Sequence, residues 1–357
     1  MLYNLLYPMA EQFPVLNVFR YITFRAIYAA ITALLLSFLL GPSLIAYLRN
    51  KQFGQVIRTD GPQSHSGKRG TPTMGGILII FATVIPTLLW ADLKNMYVWL
   101  IVLTMVVGGL IGLADDLLKI FRNTSNGLSG RKKLLGQCLL ALFVAYVLYV
   151  SGFSTGLNIP FYKQYALDLG LWFIPFAMLV IVGSSNAVNL TDGLDGLAIG
   201  AVLICAGAFA VIVYATGHAG FANYLLITFV RGVGELTIFL FALCGAGLGF
   251  LWYNSHPAEI FMGDVGSLSI GASLGAVAVM AKQEILLAII GGLFVLEALS
   301  VIIQVASFKL TGKRVFRMAP IHHHFELGGL SESKVIVRLW TVAIILALVG
   351  LSTLKMR

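Results

Sequence analysis

Asn186, Asn189, Asp192 and Asp195 recur at every third residue, and a glycine follows each of the two aspartates. On a continuing helix this spacing lays two amides and two carboxylates along one slowly drifting stripe. Gly193 and Gly196 allow a sharp turn or a close approach to a ligand. A plain connector between helices has no use for so many polar groups in register. Asp115 and Asp116 stand side by side in Gly112-Leu-Ala-Asp-Asp-Leu-Leu-Lys119. Adjacent helical positions diverge by about 100°, so these carboxylates reach neighbouring targets more readily than they clasp one ion symmetrically. Held together near lipid they repel, and a cation or a proton has to relieve them. Asp264 lies among glycines in Phe261-Met-Gly263-Asp264-Val-Gly266. That gives its carboxylate the access a Mg²⁺ ion needs when it keeps waters and also binds phosphate. Phe261 suits either a membrane interface or a stacking surface for a base.

Three further stretches carry polar groups. In Lys68-Arg69-Gly-Thr71-Pro72-Thr73-Met-Gly-Gly76, Thr71 is suited to cap a helix and Pro72 to open it. Free N–H groups beside Lys68 and Arg69 would then favour an anion, although the two cations also serve as ordinary positive-inside anchors. His322, His323 and His324 project in different directions and make a poor single-metal site. They suit phosphate oxygens better, with Arg314 or Arg317 beside them. Glu297 and Gln304 share a helix face inside an apolar run. A buried acid there should face other helices and have a partner.

The elements that must position these groups are membrane helices. Of 357 residues, 59% are hydrophobic and 11% charged, and the net charge is +9. Mean hydropathy is +0.91. A soluble domain carries about a quarter charged residues. The apolar runs predict about ten spans, near 22–47, 74–90, 97–114, 134–151, 171–188, 197–215, 236–253, 266–280, 285–308 and 335–354. Cys138, Cys205 and Cys244 each lie inside such a run, so no disulfide framework is expected. The first twenty residues lack the basic start and cleavage site of a signal peptide and are expected to stay, with residues 1–19 along the interface.

Arg49, Lys51, Arg58, Lys68 and Arg69 follow the first span, Lys119, Arg122, Arg131, Lys132 and Lys133 the third, and Lys309, Lys313, Arg314, Arg317 and Lys334 the ninth. Even-numbered connections hold Lys94, Lys163, Arg231 and Lys282. Odd-numbered connections are therefore expected in the cytoplasm and both termini outside it. Asp115, Asp116, Asp192, Asp195, Glu259 and Asp264 all fall on the cytoplasmic side. An acidic centre with basic surroundings suits a divalent cation and a polyphosphate held together.

Taken together, Arg69-Gly-Thr-Pro-Thr-Met-Gly-Gly, Asp115-Asp116, Asn189-Leu-Thr-Asp-Gly-Leu-Asp-Gly, Phe261-Met-Gly-Asp-Val-Gly-Ser and Met318-Ala-Pro-Ile-His-His-His-Phe-Glu run in an order that resembles the bacterial phospho-N-acetylmuramoyl-pentapeptide transferases, the MraY family. The likeness runs essentially end to end. It implies an all-α polytopic membrane protein of about ten helices in one domain, 1–357, with its site on the cytoplasmic face. It also implies Mg²⁺, the substrates UDP-MurNAc-pentapeptide and undecaprenyl phosphate, the products lipid I and UMP, and a homodimer in the bacterial inner membrane. No nucleic-acid partner is expected. By carry-over Asp264 binds the metal, and Asp115, Asp116 and His323 join it as catalytic groups. Lys68, Thr73, Asn189, Asp192, Gly193, Leu194, Asp195, Asn254, Phe261, Gln304, His322 and His324 line the nucleotide-sugar site.

Two routes stay open: direct attack by the lipid phosphate, oriented or deprotonated by Asp115, or prior phosphorylation of an aspartate. A related transferase of phospho-GlcNAc is the nearest alternative. An ion-coupled transporter is remoter, since it predicts mid-membrane ionisable groups and an internal repeat, whereas the acids gather at one face. With Mg²⁺ expected on Asp264, the Asn189 to Asp195 stretch is better suited to hydrogen-bonding the nucleotide than to holding metal.

Overall fold

A computed structural model describes residues 1–51, 53, 70–122, 127–160 and 166–355. Each expected span is helical: α1 Ile22–Asn50, α2 Gly76–Trp90, α3 Met96–Arg122, α4 Gly130–Val150, α5 Phe173–Thr191, α6 Leu197–Thr216, α7 Leu236–Asn254, α8 Gly263–Met280, α9 Gly292–Thr311 and α10 Glu332–Ser352. Among the described residues nine helices are long and apolar enough to cross a membrane, and α2, with 15 residues, is shorter. The chain begins with a short helix, Leu2–Leu6, and two 3-10 turns. Its amino group caps the far end of α2 through the Leu88 carbonyl at 2.7 Å. A two-stranded antiparallel ribbon, β1 Gly156–Asn158 and β2 Ala166–Asp168, joins α4 to α5.

The centre of the bundle is α8, in which every residue from Val265 to Met280 is buried. It packs against α2, α3 and α5. Its glycines, serines and alanines explain how so short a helix holds that place, because lipid offers no hydrophobic drive between helices and close backbone approach has to supply the packing. A Cβ on Gly112 of α3 would run into the Asp264 carbonyl, and one on Gly76 of α2 into the backbone of Gly266. From α5, Ser184 and Ser185 donate to the carbonyls of Gly271 and Leu268 at 2.7 and 2.9 Å. Large side chains such as Leu35, Leu39 and Trp252 stay on the outside, as lipid-facing residues should.

At the end of the bundle away from Asp264, Arg25 grips Glu235 with two contacts of 2.7 Å. Arg25 also donates to the Trp90 carbonyl at 3.2 Å, and the Asp92 N–H to Glu235 at 2.8 Å. This fork ties together the starts of α1 and α7 and the end of α2.

Four boundaries differ from the hydropathy reading. Helix α3 continues to Arg122 rather than ending near 114, because its polar last turns pair with other segments instead of meeting lipid. Helix α2 starts at Gly76, not at Thr71 and Pro72. The N–H groups of Gly75 and Gly76 go to the Phe261 and Met262 carbonyls, both at 2.8 Å, and the Phe261 N–H goes to the Pro72 carbonyl at 2.8 Å. These donors are used inside the fold, so the N–H groups of Gly75 and Gly76 are not free for an anion. Helix α5 ends at Thr191, and Asp192 leaves the helical conformation, so the expected stripe divides. The span expected over 285–308 breaks at Gly291 into Glu284–Ile290 and α9. Only the first part of α9 faces the bundle, through Leu293, Phe294, Glu297 and Ser300, and Ile302 to Leu310 are largely exposed.

Candidate active site

The end of α3 and the start of α8 bring three carboxylates together. One oxygen each from Asp115, Asp116 and Asp264 lies within 4.8 Å of the others. Continuation of α3 puts Lys119 one turn beyond the pair, and its ammonium reaches Asp115 at 2.6 Å, Asp264 at 3.0 Å and Asp116 at 3.3 Å. Lys133, from the first turn of α4, reaches Asp264 at 2.7 Å. Backbone donors fix the remaining geometry: the Leu128 N–H to Asp115 at 2.8 Å and the Val265 N–H to Asp116 at 3.2 Å. Asn189, in the last turn of α5, donates to Asp264 at 2.7 Å and to Ser267 at 2.8 Å. Gly263, with φ +71°, lets the chain pass beside Asp116 and the Thr73 hydroxyl.

Two ammonium groups face three carboxylates, so the cluster keeps an excess of hard oxygen donors. That set fits a Mg²⁺ ion, which takes carboxylates and leaves positions for phosphate. The fit extends the expectation for Asp264: both members of the adjacent pair aim at the same spot, because α8 comes to them across the Gly112 contact.

The glycine-rich turn after α5 sits next to this cluster. Asp192 is recessed, and desolvation, followed by the carboxylates of Asp264, Asp116 and Asp195, pushes its carboxyl up to about 8. Gly193 lies against the ring of His322, and Leu194 is buried. Asp195 turns the other way. Its carboxylate meets His256 Nδ1 at 3.0 Å and accepts from the Ala258 N–H at 3.2 Å, while its own N–H goes to Glu332 of α10 at 3.1 Å. Asn254 closes the same corner, accepting from the Gly196 N–H at 3.0 Å and donating to the Ile260 carbonyl at 2.8 Å. Both ends of its side chain are thereby engaged inside the fold.

The remaining expected residues form the rim. Phe261 is half-buried next to Pro72. Gln304 does not touch the carboxylates: it holds the loop after α9 by accepting from the Val315 and Phe316 N–H groups at 3.0 and 2.9 Å. The histidines lie on a short helix, Ile321–Glu326. His322 Nδ1 meets Glu297 at 3.1 Å, His323 Nδ1 meets Glu326 at 2.8 Å, and His324 accepts from the Arg317 N–H at 3.2 Å. They diverge as their adjacency predicts. Lys68 and Arg69 lie outside the described residues. Lys119, Lys133, His256 and Glu332 were not singled out from the sequence. The Asp115 to Lys119 spacing of four was the one local signal available.

Comparison with known proteins bears on this geometry. Residues 98–282, which include all three carboxylates, match the model of glycosyl transferase family 4. Residues 68–80 match the first phospho-N-acetylmuramoyl-pentapeptide-transferase signature. Proteins named phospho-N-acetylmuramoyl-pentapeptide-transferase from Citrifermentans bemidjiense and Geobacter sp. strain M21 are each 60% identical to this chain, covering 100% of both sequences. One from Pelobacter propionicus is 59% identical, again over 100% of both. Likeness at that level over the whole length, with the carboxylates inside the matched region, makes this chain a member of the phospho-N-acetylmuramoyl-pentapeptide-transferase family.

Proposed function

We propose that the chain transfers phospho-MurNAc-pentapeptide from UDP-MurNAc-pentapeptide to undecaprenyl phosphate, forming lipid I and releasing UMP in peptidoglycan synthesis. The observation that carries this reading is the convergence of Asp115, Asp116 and Asp264 with Lys119 and Lys133 at one end of a membrane bundle. Two phosphate-bearing substrates repel, and such a site offers both the oxygens to hold a divalent cation and the ammonium groups to meet phosphate. The same end carries Arg49, Lys51, Arg122, Arg131, Lys132, Lys309 and Lys313, which supports a cytoplasmic orientation for the site and an outer position for both termini. A homodimer in the bacterial inner membrane is part of the same proposal.

In this reading Asp264 would hold Mg²⁺, with Asp115 and Asp116 turned to the same place, and the ion would supply charge neutralisation on the diphosphate and on the departing UMP. Lys119 and Lys133 meet phosphate oxygens. Asp115 orients the lipid phosphate for direct attack. A phosphate monoester is already largely ionised at neutral pH, so little is asked of a base. Thr73, Asp192, Gly193, Leu194 and Phe261 surround the nucleotide, while Asn189 sets the rotamer of Asp264. Asn254 and Asp195 hold the turn in place. His322, His323, His324 and Gln304 shape the far wall, and Lys68 contributes from the preceding segment.

The test is UMP release by the purified full-length protein with each donor and acceptor in turn. Turnover is expected with UDP-MurNAc-pentapeptide, polyprenyl phosphate and Mg²⁺ together. Turnover on UDP-GlcNAc alone would move the chain to the sister activity. A stoichiometric burst of UMP without lipid would replace direct attack by a phospho-aspartate route.

A further inference from the structure

Glu297 and His322 are fully buried, and their contact at 3.1 Å through Oε2 and Nδ1 leaves one polar atom on each side without a hydrogen-bond partner among the described residues. These atoms are Glu297 Oε1 and His322 Nε2. Orphaned polar atoms in an interior are costly and uncommon, and they mark places where a partner arrives from elsewhere. Beyond the break at Gly291, the buried side of α9 brings Glu297 to the histidine helix rather than to lipid. Nε2 points at Gly193, where a Cβ would collide with the imidazole. Four residues earlier Asn189 holds Asp264. One short segment thus touches the metal-facing carboxylate with one end and the orphaned nitrogen with the other.

We propose that Glu297 is a positioning residue for the transfer: its carboxylate accepts from Nδ1–H of His322, fixes that tautomer, and presents Nε2 at the Asp192 to Asp195 turn as an acceptor for an O–H or N–H group of the nucleotide-sugar donor. The chemistry follows from the tautomer. With the proton on Nδ1 and in use, Nε2 offers a lone pair and Glu297 Oε1 offers another, so what the pair lacks is a donor. Ribose hydroxyls and amide or imide N–H groups of a uridine-linked amino sugar are of that class. The turn shifts at Gly193 to take up the donor and uncovers Nε2. Glycine is needed there for space. This proposal rests on the transferase reading and assigns Glu297 no contact with the lipid substrate.

The experiment uses the full-length protein in nanodiscs, with Glu297→Ala, Glu297→Gln, His322→Ala and the double variant Glu297→Ala/His322→Ala. UMP release reads kcat and KM for UDP-MurNAc-pentapeptide, and calorimetry reads binding of UDP alone. Glu297→Ala is expected to raise KM and the UDP Kd at least tenfold while kcat changes less than threefold. Glu297→Gln, whose amide oxygen still accepts from Nδ1–H, is expected to stay within threefold of the native protein. In the His322→Ala background, loss of Glu297 should add less than twofold. An equal cost of Glu297→Ala with and without His322, or an unmoved KM and Kd in a folded variant, overturns the proposal. Should Glu297→Ala not survive extraction, Glu297→Met fills the same volume and must show the tenfold rise that Gln does not. A native protein that binds UDP but turns over no donor would instead count against the transferase reading, and the binding comparison would still decide the role of Glu297.

Discussion

The two ends of the bundle each bury charge, and they do so on opposite terms. Around Arg25 one guanidinium meets one carboxylate in a two-pronged fork, with a carbonyl and a backbone N–H taking up further capacity. The charges balance and the fork needs nothing from outside. Around Asp264 two ammonium groups serve three carboxylates, every acid touches more than one neighbour, and oxygens remain to spare. A balanced pair ties helices together. An unbalanced cluster keeps oxygens with which a further cation could be met. The contrast separates a structural role from a chemical one without reference to any relative.

The comparison can be broken most decisively at the unbalanced end. Asp264→Asn is expected to lower the rate of UMP release by at least about 100-fold, the range seen when a group that stabilises transition-state charge is lost. The folded yield should be unchanged, because the amide keeps the shape and relieves repulsion. Activity per folded molecule near the native value would place the chemistry elsewhere.

At the balanced end the expected pattern is the reverse. Arg25→Met leaves Glu235 buried and unpaired, at a cost of about 3–5 kcal/mol. It should show as a lower melting temperature in detergent, with the kcat of surviving molecules unchanged. Adding Glu235→Leu should return most of the lost stability, and failure of that rescue would mean the fork does more than balance charge.

Lys133→Met tests a smaller effect. It removes one of two cations from Asp264, and a rise of about tenfold in KM for the nucleotide donor is expected, the size of one charge-assisted hydrogen bond of about 1.5 kcal/mol. An unchanged KM would leave Lys119 as the sole phosphate-facing cation of the two.

The smallest expected effect concerns Asp192, whose carboxyl is pushed from 3.8 up to about 8. A group that holds its proton more readily in the fold than in the unfolded chain favours the folded state at low pH. That contribution is complete below 3.8 and is lost as pH rises through about 8. Asp192→Asn stays neutral throughout. Without divalent cations, the melting temperature of the native protein should therefore fall relative to the variant between pH 5 and pH 9. Parallel curves would show that neither burial nor the neighbouring carboxylates hold a proton on Asp192.

Much of the fold was legible, because a bilayer makes hydropathy nearly sufficient. Helices cover all ten apolar runs, nine of them long enough to cross a membrane among the described residues, and errors cluster where helices end. Helix α3 outruns its hydrophobic stretch since its last turns pair with the Leu128 N–H and the start of α8, contacts that no local pattern encodes. The carboxylates were readable from type and spacing, and so was the need of Glu297 for a partner. That partner was not, because 25 positions separate it from His322 and only the fold brings them together. The stripe from Asn186 to Asp195 divided for a similar reason. Asn186 and Asn189, still on the helix, went to Gln137 at 3.0 Å and to Asp264, whereas Asp195, beyond its end, went to His256.

Gly76, Gly112 and Gly266, introduced above as contacts in the core, also set the tolerance of the machine. Backbone touches backbone at Gly76 against Gly266 and at Gly112 against Asp264. No side chain stands between to absorb error. A single methyl at Gly112 has to be accommodated by displacing Asp264. Such a substitution will read in a functional screen like loss of a ligand although every carboxylate is intact, so a catalogue of inactive variants from this protein will contain glycines of the membrane interior alongside the acids of the site.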